Sequence, residues 1–118
     1  MRALTQLESL RNPPTAIICS NDMTAIGVMR EAYELGIAVP KELSVVGFDD
    51  VRLAQFMIPP LTTVQMSQTE LAKLAFLALF KEVEAKVHSS CGTEYTLNTT
   101  LVLRKSTGLV PARKTKNP

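Results

Sequence analysis

Two short apolar runs with a helical pattern between them constrain the fold of this chain most strongly. The runs over residues 15–19 and 43–48 are rich in β-branched side chains, as buried parallel strands are. Between them the sequence predicts a helix that begins near Asp22, continues to about Leu35 and ends at Gly36. A strand, a helix and a second strand joined by short loops predict a parallel sheet with a right-handed crossover.

The remaining pattern predicts four further segments: a short amphipathic helix over 2–11, a long helix over 67–87, a late strand over 95–103, and a disordered basic tail over 108–118. The long helix is apolar on every side between Leu74 and Phe80, so it must be buried all round. A chain of 118 residues can hardly cover it. We expect this helix to pack against something absent from the sequence, or to mediate association.

Composition argues against a nucleic-acid surface. The chain has no Trp and only 5% aromatic residues, which leaves little for base stacking. Five basic residues and no acidic ones lie from Arg104 onward, so residues 1–103 hold eight basic and eleven acidic residues, a net charge of −3. A body built to hold phosphates would carry the opposite sign. We therefore expect this chain itself to make no contact with DNA.

The cysteines and the N-terminus point to a reducing compartment. Cys19 follows an apolar run and is predicted to be a buried, inert thiol, while Cys91 falls in a predicted loop, so no disulfide framework is indicated. The N-terminus lacks the apolar core of a signal peptide, and no apolar run is long enough to cross a bilayer. We expect a cytoplasmic protein without membrane contact.

Polar side chains follow both strands of the predicted sheet, where open α/β sheets bind ligands. Asp49 is the first candidate for a ligand contact, because a carboxylate can accept two hydrogen bonds from neighbouring hydroxyl groups. The alternative is a turn-forming Asp, which fits Asp50 better. Asn21 and Asp22 begin the helix, where either can cap free amides, and we assign Asp22 a structural role as the cap. Phe48 supplies either an apolar wall or core.

The acid pair Asp49-Asp50 also permits a metal-dependent, phosphoryl-accepting site, since oxygen ligands suit magnesium. The sequence has no phosphate-binding loop, no nucleophile elbow and no metal-type spacing of His or Cys, and its one histidine, His88, lies in a probable loop. We predict no catalytic residues, no metal site and no cofactor. The protein is expected not to be an enzyme.

Three motifs together resemble the lactose/galactose-repressor (LacI/GalR) family of transcription regulators. They are PPTAIICSNDMTAIGVMREAYELGIAVPKELSVVGFDD, the following PPLTTV, and the late LVLRKSTG, and they cover most of the chain, from Pro13 to Gly108. The resemblance implies an α/β fold, a truncated, Rossmann-like C-terminal lobe of a type I periplasmic-binding-protein domain. Residues 2–66 and 96–104 would form that lobe. The helix over 67–87 would cross to an N-terminal lobe, which this sequence lacks.

The resemblance implies the effector-binding and dimerisation portion of a regulator, with a sugar or nucleoside bound between two lobes. Operator DNA would be bound by a headpiece that this chain does not contain. A solute-binding component for sugar uptake or sensing shares the fold and is the alternative. The implied effector-binding residues are Asn21, Phe48, Asp49 and Met66. At Met66 the family frequently has a polar residue, often Gln, which favours a less polar effector or a lost site.

The resemblance also implies a homodimer. Residues that match the subunit interface of family members are Met23, Met29, Gln55, Phe56 and Met57. Ordinary core packing is the alternative for each of them. Independently, the apolar arc of the helix after Asp22 covers about half its circumference, more than a single sheet needs, which indicates a second neighbour or a deeper core.

Overall fold

The fold is an open α/β sheet with helices, seen in a computed structural model that describes residues 3–85 and 93–110. The elements are α1 (Ala3–Glu8), β1 (Ala16–Ile18), α2 (Asp22–Glu34), β2 (Ser44–Phe48), a 3-10 turn (Arg52–Phe56), β3 (Thr62–Met66), α3 (Gln68–Ala85) and β4 (Thr99–Val102). The strands follow the order β1-β2-β3-β4, and β2 pairs in parallel with both β1 and β3. The predicted α/β class and the parallel strand–helix–strand unit are confirmed.

The chain divides into two compact units. Residues up to 65 and those from 101 onward form the first, and residues 66–100 form the second. The first unit holds α1, α2, β1 and β2, together with the 3-10 turn. The second unit holds α3.

The core of the first unit lies between α2 and the sheet. Helix α2 packs on β2, and Ala25, Ala32 and Val45 are completely buried there. The other buried apolar residues are Leu4, Cys19, Met29, Leu43, Ala54 and Leu61. Burying one large aliphatic side chain contributes roughly 1.5–3 kcal/mol. The helix ends at Glu34, and Gly36 two residues later has a φ of +71°, the left-handed conformation predicted for a glycine just after a helix end.

Cys19 is part of this core and is only 6% exposed. Burial disfavours the charged thiolate, so it raises the pKa of the Cys19 thiol. The prediction that the Cys19 thiol is buried is therefore confirmed, and the raised pKa favours the unreactive, protonated form. Cys91 and His88 lie outside the described residues.

Helix α1 is attached to α2 through one buried acid. Leu4 is 1% exposed, and Thr5 Oγ1 donates a 2.8 Å hydrogen bond to Glu31 Oε1. The backbone amide of Thr5 donates to the same oxygen at 3.3 Å. The helix predicted over 2–11 ends at Glu8, so it is a short element held by its contact with α2.

In the second unit, α3 leaves its apolar side chains uncovered. Phe76, Leu79 and Val83 are 66%, 62% and 68% exposed, and the rings of Phe76 and Phe80 stack at a centroid distance of 6.1 Å. The sequence predicted that nothing in the chain could cover this helix, and the exposures agree with that prediction. Among the described residues, none of the helices has the length and apolar character needed to cross a lipid bilayer.

One sequence-based boundary differs from the structure in the last part of the chain. The late strand predicted over 95–103 is limited to β4, Thr99–Val102, and residues 93–98 have no regular structure. Asn98 directly precedes the strand, and asparagine is depleted in strands. Of the tail predicted to be disordered, residues 111–118 lie outside the described part of the chain.

Candidate functional site

Asp49 lies directly after β2, at the carboxyl edge of the parallel sheet. Its backbone φ is +107°, a region that residues other than glycine rarely adopt. Its amide donates a 2.9 Å hydrogen bond to Val64 O on β3, which extends the pairing of the two strands by one residue. In the part of the chain that the structure describes, the half-exposed Asp49 carboxylate has no hydrogen-bond partner. It is thus available to a ligand.

Asp50 has the opposite character, because its carboxylate is fully engaged by the protein. Arg104 Nη2 donates to Asp50 Oδ1 at 2.6 Å, and Gln65 Nε2 donates to Asp50 Oδ2 at 2.9 Å. The side chains of Arg104 and Asp50 are only 19% and 12% exposed. Asp50 was expected to hold local amides as a turn residue. It is structural as predicted, but its partners are distant side chains.

A paired-carboxylate metal site is not formed here. Asp50 would have to exchange both of its bonds for metal coordination, which leaves Asp49 as a single carboxylate. Within residues 3–85 and 93–110, no group of three or more His, Cys, Asp or Glu side chains is arranged to hold a metal ion. Asp49 is thus a carboxylate acceptor located at the carboxyl edge of the sheet.

Asp22, assigned above as the helix cap, does not cap the helix. It is the first residue of α2 and is completely buried, with its carboxylate turned towards the sheet. Thr63 Oγ1 donates to Asp22 Oδ1 at 2.5 Å, and Val51 N donates to Asp22 Oδ2 at 2.8 Å. The cap prediction is wrong because two donors on β3 and the loop after β2 lie within reach of this carboxylate. Asp22 therefore joins three segments.

Asn21 is the residue that caps α2. Its extended backbone precedes the helix, and its Oδ1 accepts a 2.8 Å hydrogen bond from Thr24 N. Capping is one of the two roles predicted for Asn21. The effector contact remains a prediction, supported by the half-buried position of Asn21 in the short connection between β1 and α2.

Phe48 and Met66 end two neighbouring strands. Phe48 is the last residue of β2 and is half-buried, and Met66 is the last residue of β3 and is likewise half-buried. Phe48 belongs to the first compact unit and Met66 to the second. Their roles as effector contacts remain predictions.

An apolar groove of about 520 Å³ opens on the outer side of α2. It is lined by Ile26, Met29, Arg30 and Tyr33 of α2 and by Met57 and Ile58 after the 3-10 turn. Tyr33 and Ile58 are 80% and 94% exposed. The helical spacing of residues 26, 29, 30 and 33 places them on one face. This face explains why the apolar arc of α2 is wider than the sheet requires.

Of the five residues predicted for a dimer interface, Met29 and Met57 line this groove, and the five differ in exposure. Met23 and Phe56 are 62% and 64% exposed, and Gln55 is exposed as well. Met57 is half-buried and packs against the core while lining the groove. Met29 is only 5% exposed, so it serves mainly as core. Arg30 also lines the groove, although no sequence pattern assigned it to an interface.

The chain matches known proteins along most of its length. A model of the periplasmic binding protein-like domain aligns with residues 1–107. The chain belongs to this family. This periplasmic binding protein-like domain is of the LacI/GalR type, since the repressor CytR of Escherichia coli strain K12, an HTH-type transcriptional repressor, is 36% identical over 93% of the chain. The resemblance derived from the three motifs is confirmed.

Solved structures give the same result. The lac repressor dimer bound to operator and the anti-inducer ONPF is 34% identical, with a TM-score of 0.71, and the match covers 80% of this chain and 32% of that one. A LacI family transcriptional regulator from Lactobacillus casei with bound sucrose is also 34% identical, with a TM-score of 0.67, over 86% of this chain and 37% of that one. The domain also spans only 32% of CytR. It corresponds to about a third of each relative.

Proposed function

We propose that this domain is the effector-binding and dimerisation portion of a LacI/GalR-like transcriptional regulator. The observation that carries the proposal is the Asp49 carboxylate, which sits at the carboxyl edge of the sheet without a partner in the described chain. Ligands of open α/β sheets bind at this edge. The names of the relatives, which are transcriptional repressors, favour a regulator over a solute-binding transport component.

The effector is proposed to be a sugar or a nucleoside. Both present neighbouring hydroxyl groups, and a carboxylate accepts a hydrogen bond from each of two hydroxyls. The Lactobacillus casei relative with bound sucrose supports this ligand class. In the proposal Asn21 adds a second polar contact, Phe48 adds an apolar wall, and Met66 favours an effector with an apolar edge there.

In a whole regulator, the effector would act by shifting the population of open and closed arrangements of two lobes. This domain would supply one side of the cleft. The uncovered apolar side chains of α3 support the proposal that residues 67–87 pack on the other lobe. A headpiece elsewhere would bind operator DNA, and the protein would work in the cytoplasm as a binding protein and not as an enzyme.

We propose that the groove on α2 is the homodimer interface. Exposed aromatic and aliphatic side chains are typical of the centre of such interfaces, and Tyr33, Phe56 and Ile58 are all more than 60% exposed. Arg30 lines the same groove and adds the residue type that interfaces favour besides aromatics. The lac repressor structure, a dimer, supports this proposal.

The test of effector binding is a titration of the isotope-labelled chain with sucrose and, separately, with cytidine, followed by amide chemical shifts. Because the chain supplies one side of a cleft, we expect saturable binding in roughly the millimolar range for one of them. Shifts should concentrate at Asp49 and Asn21. Asp49→Asn should weaken binding by about tenfold or more, as loss of charged hydrogen bonds does.

Glu94→Gln is the matched control, because Glu94 is an exposed acid that is distant in the sequence from the residues at the sheet edge. It should bind as tightly as the wild type. Linear, unsaturable shifts with both compounds would count against this effector class. Saturable binding that Asp49→Asn leaves unchanged would remove Asp49 from the site.

A further inference from the structure

Residues 104–108, here called the closing segment, connect the amino ends of β2 and β3. Ser106 is completely buried, donates to Val45 O at 2.6 Å and accepts from Thr62 N at 2.8 Å. The amide of Val45 donates to Ser106 O at 2.9 Å. Gly108 N donates to Ser44 Oγ at 3.1 Å. These bonds fix the closing segment to both strands.

Arg104 extends this connection to the loop that carries Asp49. Its backbone amide donates to Thr62 Oγ1 at 3.0 Å, which sets the position of its Cα at the start of β3. Its guanidinium then donates in two directions, to Leu61 O at 2.9 Å and to Asp50 Oδ1 at 2.6 Å. A planar guanidinium with several donors in fixed directions can make both bonds at once, whereas a lysine ammonium holds its partners less rigidly.

The loop after β2 needs such support, because two consecutive residues have left-handed backbone. Asp49 and Asp50 have φ values of +107° and +50°. Residues other than glycine keep such conformations only where the surroundings hold them. The bonds that hold this loop are Asp49 N to Val64 O, Asp50 N to Thr63 Oγ1, Val51 N to Asp22, and the contacts of the Asp50 carboxylate with Arg104 and Gln65.

We propose that Arg104 is a positioning residue that acts through Asp50 to keep the loop in its left-handed conformation and so to present the Asp49 carboxylate at the sheet edge. Arg104 itself is not expected to contact the effector. That the presented carboxylate binds a ligand rests on the proposed function. The positioning of the loop does not, and the experiment measures it without ligand.

The experiment compares amide hydrogen exchange and Asp49 Cα and Hα chemical shifts, which report backbone φ, in the wild type, Arg104→Met and Arg104→Lys. In Arg104→Met the Asp50 and Val51 amides should exchange about tenfold faster or more, since removing one partner of a mostly buried ion pair leaves the other charge uncompensated. The Asp49 shifts should move towards those of extended backbone. Arg104→Lys should restore these signals in part, because it keeps the positive charge but not the planar guanidinium with its several donors.

Arg52→Met is the matched control, because Arg52 is exposed and close to the same loop in sequence. It should leave both signals unchanged. The amide of Cys19, bonded to Val46 O in the core, should keep its protection in every variant. If Arg104→Met does not fold, Arg104→Lys is the test. In that variant the exchange rates of the Asp50 and Val51 amides should rise selectively, by a smaller factor.

Unchanged exchange and unchanged Asp49 shifts would overturn the proposal. An equal rise at Cys19 would overturn it too, because it would mean general loosening of the unit. A selective effect in a chain that binds neither sucrose nor cytidine would support the positioning role while removing the proposed effector class. Failure of the positioning role of Arg104 can thus be distinguished from failure of the proposed effector binding.

Discussion

Thr63 Oγ1 donates a 2.5 Å hydrogen bond to Asp22 Oδ1, although the two residues are 41 positions apart and both are buried. The bond joins the first residue of α2 to the second residue of β3. It runs beside Gly47 of β2, so a helix and two strands meet at one carboxylate. The carboxyl edge of the sheet is therefore built around Asp22.

The first prediction concerns this bond. Thr63→Val keeps the shape of the side chain but removes its hydroxyl, so the buried Asp22 Oδ1 loses its donor and the Asp50 amide loses its 3.4 Å bond to Thr63 Oγ1. The free energy of unfolding should fall by about 1–3 kcal/mol, the cost of leaving a buried polar group unsatisfied. Urea denaturation measures it. Thr24→Val, at an exposed site in α2, should change it by less than about 0.5 kcal/mol, and equal losses in both variants would contradict the role of the bond.

A second prediction compares two glycines. A Cβ at Gly47 would lie 2.0 Å from Asp22 Oδ1 and 3.1 Å from Leu61 Cδ2. Asp22 cannot move away without losing its bonds to Thr63 and Val51. Gly47→Ala should therefore lower the free energy of unfolding by about 2 kcal/mol or more.

Gly27→Ala should have the opposite effect on stability. Gly27 lies in the middle of α2, and a Cβ added there would meet nothing within 4 Å. Replacing a glycine inside a helix with alanine should raise the free energy of unfolding by roughly 0.5–1 kcal/mol. Thermal or urea unfolding of the two variants side by side checks the pair. A destabilised Gly27→Ala together with a neutral Gly47→Ala would be inconsistent with this packing.

The third prediction concerns alkaline pH. Burial raises the pKa of the folded Cys19 thiol above its ordinary value of 9.0. Above that value the unfolded chain loses a proton which the folded chain retains, so the unfolded state is favoured as pH rises. The contribution is fully present below pH 9 and is lost as pH rises towards and through the folded pKa.

The measurement is the free energy of unfolding between pH 7 and pH 10.5 for the wild type and Cys19→Ala. The wild type should lose more stability than the variant over the upper part of this range. Cys91 is present in both proteins, so it cancels in the comparison. Parallel curves for the two proteins would show that Cys19 contributes nothing to the pH dependence.

The fourth prediction tests the groove on α2. Tyr33→Glu places a charge in the proposed interface, and because Tyr33 is 80% exposed the fold of the monomer should be preserved. The dissociation constant of the dimer should rise by about tenfold or more, as expected for loss of an interface aromatic. Sedimentation equilibrium measures it. Tyr95→Glu, an exposed tyrosine in the second unit, is the control, and a dimer that survives Tyr33→Glu would place the interface elsewhere.

Local pattern was sufficient to predict much of the fold. The β-branched runs, the apolar arc of α2 and the glycine that ends it are each encoded within a few residues, so the parallel unit and the left-handed Gly36 could be predicted. The position of Asp49 at a strand end follows from the same pattern. Structural features that depend on residues close together in the sequence could therefore be predicted.

The partners of the acids could not be predicted in this way. Asp50 and Arg104 are 54 positions apart, and no periodicity relates them. Asp22 has the residue type and position of a cap, and only the approach of Thr63 and Val51 in three dimensions gives it a different role. In each case the tertiary contacts determine which partner the acid binds. The sequence showed only that an acidic residue was present at that position.

The first compact unit is assembled from two separated stretches of chain, with residues 66–100 between them. On the ribosome, where synthesis proceeds at roughly 5–20 residues per second, Asp50 is made seconds before the arginine that pairs with it. During that interval the nascent sheet edge holds an uncompensated acid, and the amino ends of β2 and β3 lack Ser106. Vectorial synthesis therefore delays completion of the loop after β2 until the closing segment has been made.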